Sequence, residues 1–307
     1  MFDKIKPGPT PIRVGDRPED AHEYFVDTEL AQAANIAIFL ARPLLISGEA
    51  GTGKTELAYA IAAQLEMREP LEFHCKSDSV GRDLLYRVDH LGRLHDAYAA
   101  GAAHTAQLAP LSSYVHDSTL RAAFRSDDQR VVLIDEIDKA PPDLPNDLLD
   151  ELDRGRIRIP EISETHEETA KQRPIVIITS NRERELPRPF LRRCIFHYIE
   201  YPSSEQLRRI VTSRLHDKQV AAGFIALIVS RFEELRGVPN LVKPPATGEL
   251  VMWSEVLLEL GIEQRSLEQV QRLADLPAIQ ALIKRKDDLE LTRNSTAAPP
   301  KLPRTSA

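Results

Sequence analysis

The chain has 307 residues, 42% of them hydrophobic, with 40 Lys and Arg against 47 Asp and Glu for a net charge of −7. That is enough apolar material for one sizeable core and a smaller second one, while the negative balance excludes a global cationic field for holding nucleic acid or an anionic membrane. Two cysteines, Cys75 and Cys194, are too few for a disulfide framework or a four-ligand zinc site and point to a reducing cytoplasm.

The opening MFDKIKPGPT lacks the apolar core of a signal peptide. The longest apolar runs, such as Ile36 to Ala41, fall far short of a bilayer span, so a cytoplasmic protein is expected. Residues 1–22 are rich in Pro, Gly and charge and are expected to form an extended leader draped over the domain rather than packed inside it. A helix is predicted from Glu29 to Ala41. Five apolar runs follow, PLLIS from Pro43, LEFHC from Leu71, VVLID from Val131, IVIIT from Ile175 and CIFHYIEY from Cys194, alternating with helical or mixed segments. Continuous apolar strands separated by crossovers imply a parallel sheet covered on both faces.

Two crossovers are longer than one helix requires, which predicts insertions at about 77–129 and 154–172. In the second, the alternation Arg156, Ile157, Arg158, Ile159 predicts a hairpin arm. Beyond Tyr201 and Pro202 the strand signals stop. SSEQLRRIVTSRL carries Ser203 and Gln206 at capping-box spacing, and TGELVMWSEVLLELG places Leu250, Trp253, Leu257 and Leu260 on one face before Gly261. The expected fold is therefore α/β: a five-stranded parallel sheet with helices on both faces over 23–202, followed by a small all-helical lid at 203–286 and a disordered tail at 287–307.

SGEAGTGKTE, Ser47 to Glu56, satisfies G-x-x-x-x-G-K-[ST] at Gly48, Gly53, Lys54 and Thr55, with an apolar strand before it and an amphipathic helix after it. In such a loop Gly48, Glu49, Ala50, Gly51, Thr52 and Gly53 turn backbone N–H groups toward phosphate, and the helix beginning at Glu56 adds its dipole. Lys54 reaches the terminal phosphates and the Thr55 hydroxyl ligates Mg²⁺, so ATP and Mg²⁺ are the expected ligands. RVVLIDEIDKA then delivers Asp135 and Glu136 at the carboxyl end of a buried strand, where open parallel sheets bind ligands. Asp135 is expected to hold Mg²⁺ through its water shell, and Glu136 to orient and deprotonate the attacking water. Asn181, at the tip of IVIITSN, is placed to contact the γ-phosphate. His74 and Cys75 occupy adjacent strand positions, whose side chains point to opposite faces, and do not make a metal site together.

RPFLRRC puts Arg188, Arg192 and Arg193 just before the last strand. An arginine at that edge faces away from its own nucleotide and serves only a neighbouring copy, which implies a ring or at least a dimer. In this order, GEAGTGKT, VVLIDEID, ITSN and FLRRC followed by a helical lid resemble an AAA+ ATPase over about residues 25–286. The helix-rich insertion and the extra hairpin are similar to those of the MoxR-type branch, which includes NorQ- and CbbQ-like proteins. That resemblance implies a ring, commonly a hexamer, that remodels a protein client, often with a von Willebrand factor A-domain partner. It also implies that Asn181 corresponds to sensor 1 and Arg193 to the arginine finger, with Arg192 beside it. The family's lid arginine has no counterpart in LVKPPATGEL, where Lys243 stands nearby as a point charge rather than a fork.

Two other readings remain at this point. A nucleic-acid motor would grip its substrate with the Arg154, Arg156, Arg158 hairpin, although the acidic balance disfavours it. An ATP-dependent assembly switch would tolerate loss of Glu136. No Asn-Lys-x-Asp sequence occurs, which disfavours GTP.

Overall fold

The computed structural model describes residues 3–14, 21–103, 109–215, 218, 220–293 and 295–297. Eleven strands are present among them: β1 Gly8–Arg13, β2 Ala21–Val26, β3 Leu44–Gly48, β4 Leu71–His74, β5 Tyr86–Val88, β6 Val115–Asp117, β7 Val131–Asp135, β8 Arg156–Arg158, β9 Glu167–Thr169, β10 Ile175–Ser180 and β11 Ile195–Ile199. The five apolar runs of the sequence become β3, β4, β7, β10 and β11. They form one sheet in the order β11-β3-β10-β7-β4, parallel throughout.

Period-two alternation sends successive side chains of each central strand to opposite faces, and two cores result. Leu45, Val132, Ile134, Val176 and Ile178 lie in one core with Leu84, Leu120, Phe124, Leu148 and Phe190. Leu44, Ile46, Val131, Leu133, Ile175 and Ile177 lie in the other, against Leu30, Ala34, Leu57 and Ile61. Those last four come from the helices Thr28–Leu40 and Glu56–Gln64. The first is capped by Asp27, whose carboxylate accepts the Leu30 N–H at 2.8 Å.

The described part of the leader is extended, as expected, but not merely draped: Ile5 and Ile12 are 2% and 5% exposed and belong to the second core, while Lys4, Lys6, Pro9, Pro11 and Arg13 are exposed. Its backbone is fixed by Asn35, whose Oδ1 accepts the N–H groups of Lys4 and Ile5 and whose Nδ2 donates to the Ile5 carbonyl. Both expected insertions contain structure. In the first, β5 and β6 pair antiparallel and the helix His90–Ala103 lies between them in sequence. In the second, β8 and β9 pair antiparallel as the predicted hairpin.

The chain divides into two compact units, the first made of 1–14, 24–49 and 53–199, the second of 15–23, 50–52 and 200–307. The second is helical over its described C-terminal part, with Ser204–Arg214, Ala222–Arg236 and Thr247–Glu259 as its main helices. Ser203 and Gln206 make the expected capping box, the Ser203 N–H donating to Gln206 Oε1 at 2.8 Å. Leu250, Trp253 and Leu257 are fully buried, and the Trp253 indole donates to the Pro277 carbonyl at 2.7 Å. Leu260 departs from that face and is 60% exposed, because the helix ends at Glu259 and the chain turns away through Gly261 at φ +64°. The start of the expected tail is also ordered. The helix Lys286–Arg293 buries Asp288 and Thr292, and Asp288 accepts the N–H groups of Val242 and Lys243. Residues 298–307 lie outside the described residues.

Candidate functional site

The carboxyl ends of the central strands bring the sequence motifs together. β3 runs into the loop at Gly48, and the helix Glu56–Gln64 leaves it. Gly51 and Gly53 take φ of +75° and +82°, a region L side chains avoid, and a Cβ on Gly53 would lie 3.0 Å from the Tyr24 ring. Lys54 is 6% exposed and its ammonium donates to the carbonyls of Gly48 (3.0 Å) and Glu49 (2.6 Å), tying the loop to its own base. Burial pulls its pKa below the ordinary value, with the carboxylates of Asp135, Asp138 and Glu136 acting the other way.

Asp135, at the end of β7, is the hub of the first unit's polar cluster. Its Oδ1 accepts from the Thr55 hydroxyl at 3.0 Å and from the Thr179 hydroxyl at 2.6 Å. On its other oxygen, Oδ2, His74 Nδ1 lies at 3.3 Å, and the same imidazole reaches Glu72 through Nε2 at 3.0 Å. β4 pairs with β7 in a register that sets His74 beside Asp135.

Glu136 is the next residue and adopts a left-handed backbone, φ +55° and ψ +51°. That conformation costs a residue with a Cβ roughly 1–2 kcal/mol, and the Glu136 N–H is held there by Thr179 Oγ1 at 2.8 Å. Its carboxylate accepts from Asn181 Nδ2 at 2.8 Å on Oε1 and from the Lys139 ammonium at 2.5 Å on Oε2. The bond to Glu136 holds the Lys139 pKa above its ordinary value. Thr179 thus spans both halves of the acidic pair, donating to Asp135 and accepting from Glu136.

The adjacent arginines of RPFLRRC, Arg192 and Arg193, are placed differently. Arg193 donates through Nε to Asp153 Oδ2 at 2.5 Å and through Nη1 to the Pro189 carbonyl at 3.2 Å. Among the described residues the Arg192 guanidinium makes no hydrogen bond or ion pair, and the side chain is exposed. Lys243 belongs to the second unit, with an exposed side chain and its N–H on Asp288 Oδ2 at 3.1 Å.

A fit for Mg²⁺ is supplied by the donor set, a hydroxyl and a carboxylate already 3.0 Å apart, hard oxygens of the kind that cation selects. Among the described residues no group of three or more His, Cys, Asp or Glu could hold a metal ion, so the site does not resemble an all-protein cage. Burial, then the charges of Asp135, Asp138 and Glu136, push the thiol of Cys75, near the acidic pair, up to about 12.

A phosphate-cradling loop between a strand and a helix, with a strand-borne Asp-Glu pair beside it and a polar amide on the carboxylate, defines a P-loop ATPase. Residues 43–194 match the family profile of the AAA domain, dynein-related subfamily, and this stretch of the chain is an AAA domain. Among solved structures the chain is similar to the FIGL-1 AAA domain in complex with ADP, at 17% identity over 81% of this chain and 75% of that chain, with a TM-score of 0.40. No curated protein matches the sequence. Among the described residues no helix is long and apolar enough to cross a membrane.

Proposed function

We propose that the protein is an ATP-hydrolysing ring protein of the MoxR type that remodels or matures a protein client. The observation that carries hydrolysis is the Glu136 carboxylate, set at the end of β7 and held at 2.8 Å by the Asn181 amide. A switch that only binds nucleotide has no use for a second carboxylate kept in a strained backbone beside Asp135.

In this reading the loop N–H groups and Lys54 bind the phosphates of ATP, and Thr55 and Asp135 hold Mg²⁺, Asp135 through its water shell. When bound, Mg²⁺ neutralises charge on the phosphate oxygens. Glu136 takes the proton of the attacking water, and Asn181 holds the carboxylate and contacts the γ-phosphate. Each Glu136 oxygen accepts one bond, from Asn181 and from Lys139, and keeps a further lone pair that can accept the proton. Lys243 remains the candidate lid cation. An arginine of the Arg192, Arg193 pair reaches a neighbour's nucleotide, which makes the working form a homo-oligomeric ring, with a hexamer favoured.

The insertions support a protein client, with a von Willebrand factor A-domain partner as the branch commonly has. The helix His90–Ala103 exposes Leu91, Leu94 and Tyr98 at i, i+3 and i+7, at 80%, 53% and 74%. The nucleic-acid alternative is disfavoured by the hairpin itself. Arg156 and Arg158 are both paired with Glu167, at 2.7 and 3.4 Å, and Arg154 with Asp150 at 2.8 Å, so its cations face acids of the same chain.

Turnover against protein concentration, paired with sizing in ATP, tests the reading. Turnover that rises with concentration, a larger species in ATP, and a Glu136→Gln variant that binds ATP without hydrolysing it are expected. A monomer whose turnover ignores concentration, or a Glu136→Gln variant with full activity, would sink it.

A further inference from the structure

Asp138 is 2% exposed, lies in the turn Ile137–Lys139 after β7, and was given no role by the motifs of the sequence. Its carboxylate is taken up by the turn that follows β10. Oδ2 accepts the backbone N–H of Asn181 at 3.0 Å and of Glu183 at 2.8 Å, and Oδ1 lies 3.3 Å from the Asn181 nitrogen. Between those two donors Arg182 adopts φ +62°, and its N–H is accepted by Ser180 Oγ at 3.1 Å. Three successive N–H groups beyond β10 therefore end on side-chain oxygens. Two of the three end on Asp138.

The consequence concerns Asn181. Its side chain donates to Glu136, and its main chain is pinned by Asp138. A turn with a left-handed non-glycine residue relaxes unless something holds it, and charge-assisted bonds to two of its N–H groups are the strongest local restraint available. We propose that Asp138 is a positioning residue for ATP hydrolysis, fixing the turn 180–183 so that the Asn181 amide stays on the Glu136 carboxylate. It touches no reacting atom. The inference rests on the proposed roles of Glu136 and Asn181.

The alternative is a buried aspartate that serves folding alone, and a double-mutant cycle separates the two. Asp138→Asn keeps the shape and one acceptor oxygen, and Asp138→Glu keeps the charge but displaces it by a methylene, so one variant stands in if the other fails to fold. ATP dissociation constant, kcat and melting temperature are measured for each, alone and with Asn181→Ala. The expected result is a fall in kcat of about tenfold or more with ATP affinity within about twofold. In the Asn181→Ala background the same change at 138 costs less than about twofold further, because the group it positions is gone. Unchanged kcat, loss of ATP affinity in parallel with kcat, or full additivity with Asn181→Ala overturns the proposal while leaving the site reading intact. If Asn181→Ala alone leaves kcat unchanged, the reading of Asn181 fails and the proposal falls with it.

Discussion

Arg193 Nε donates to Asp153 Oδ2 at 2.5 Å, an ion pair closed within one chain, whereas Arg192 beside it offers an exposed guanidinium. The resemblance by motif favours Arg193 as the finger for a neighbouring subunit. The geometry favours Arg192, whose guanidinium has no bond to break among the described residues before reaching out. In mixtures with wild type, Arg192→Ala is expected to depress turnover more than Arg193→Ala, and the pure Arg192→Ala protein to approach the roughly 10³-fold loss that removing a trans finger can produce. Asp153→Ala supplies the control. If Arg193 is the finger, freeing it from Asp153 changes concentration-dependent turnover, and if Arg192 is, turnover stays put.

Glu136→Gln keeps an acceptor for Asn181 and Lys139 but cannot take a proton. The expected outcome is ATP binding within a few-fold of wild type and a kcat lower by about 10²–10⁴. Isothermal titration with ATP and a phosphate-release assay on the same preparation check it. Loss of binding together with turnover would assign Glu136 to nucleotide capture instead.

The fold was legible because a strand buried on both faces leaves a continuous apolar run, and each of the five runs became a strand of one sheet. The loop and acidic pair were legible because their chemistry needs fixed spacing along the chain. Other parts depend on contacts that spacing does not carry. Thr179 bridges Asp135 and Glu136 from 44 and 43 residues away, and Asp138 meets Asn181 across 43. The signal for Thr179 was present as a polar residue ending an apolar strand, but the β7–β10 pairing gives it meaning. The leader misled through its Pro and Gly content, which hid Ile5 and Ile12. The tail misled through low hydropathy, since Asp288 is buried for the backbone N–H groups it accepts rather than for apolar area.

Thr55 Oγ1 and Asp135 Oδ1 meet at 3.0 Å although 80 residues separate them. If they share one cation, Thr55→Ala and Asp135→Ala weaken the same ligand. Each is expected to raise the Mg²⁺ concentration needed for half-maximal turnover by about tenfold or more, and the double variant to cost less than the product of the singles. A Mg²⁺ titration at saturating ATP measures this. Unshifted midpoints would remove both residues from the cation.

The hairpin cations can be tested by removing each of them. Arg156 and Arg158 share Glu167, whose carboxyl they hold below the usual range. Exposed pairs of this kind contribute little to stability, so Arg156→Ala and Arg158→Ala should leave the unfolding midpoint close to that of wild type. DNA is expected to leave ATPase turnover unchanged in wild type. DNA-stimulated turnover that falls steeply with salt and disappears in Arg156→Ala would restore the nucleic-acid reading.

Arg121 is 3% exposed and is shared between Glu168, at 2.6 Å, and Asp117, at 2.7 Å, joining the second hairpin to the first insertion. The Arg121 bond, with help from His166, holds the Glu168 carboxyl down to about 2. A carboxyl depressed in the folded state stabilises the fold fully above its unfolded value, near 4.3, and the contribution is lost as pH falls toward 2. Glu168→Gln should therefore cost roughly 1.5–3 kcal/mol at neutral pH, the scale of a charge-assisted bond, by leaving Arg121 with Asp117 as its one carboxylate partner beside the Val115 carbonyl. Denaturant unfolding of both forms at pH 7, 4 and 3 should show the gap narrowing below about pH 4, as Glu168 protonates in the unfolded wild-type chain while the folded carboxylate stays charged. A gap that is constant with pH would mean the loss comes from packing rather than from the ion pair.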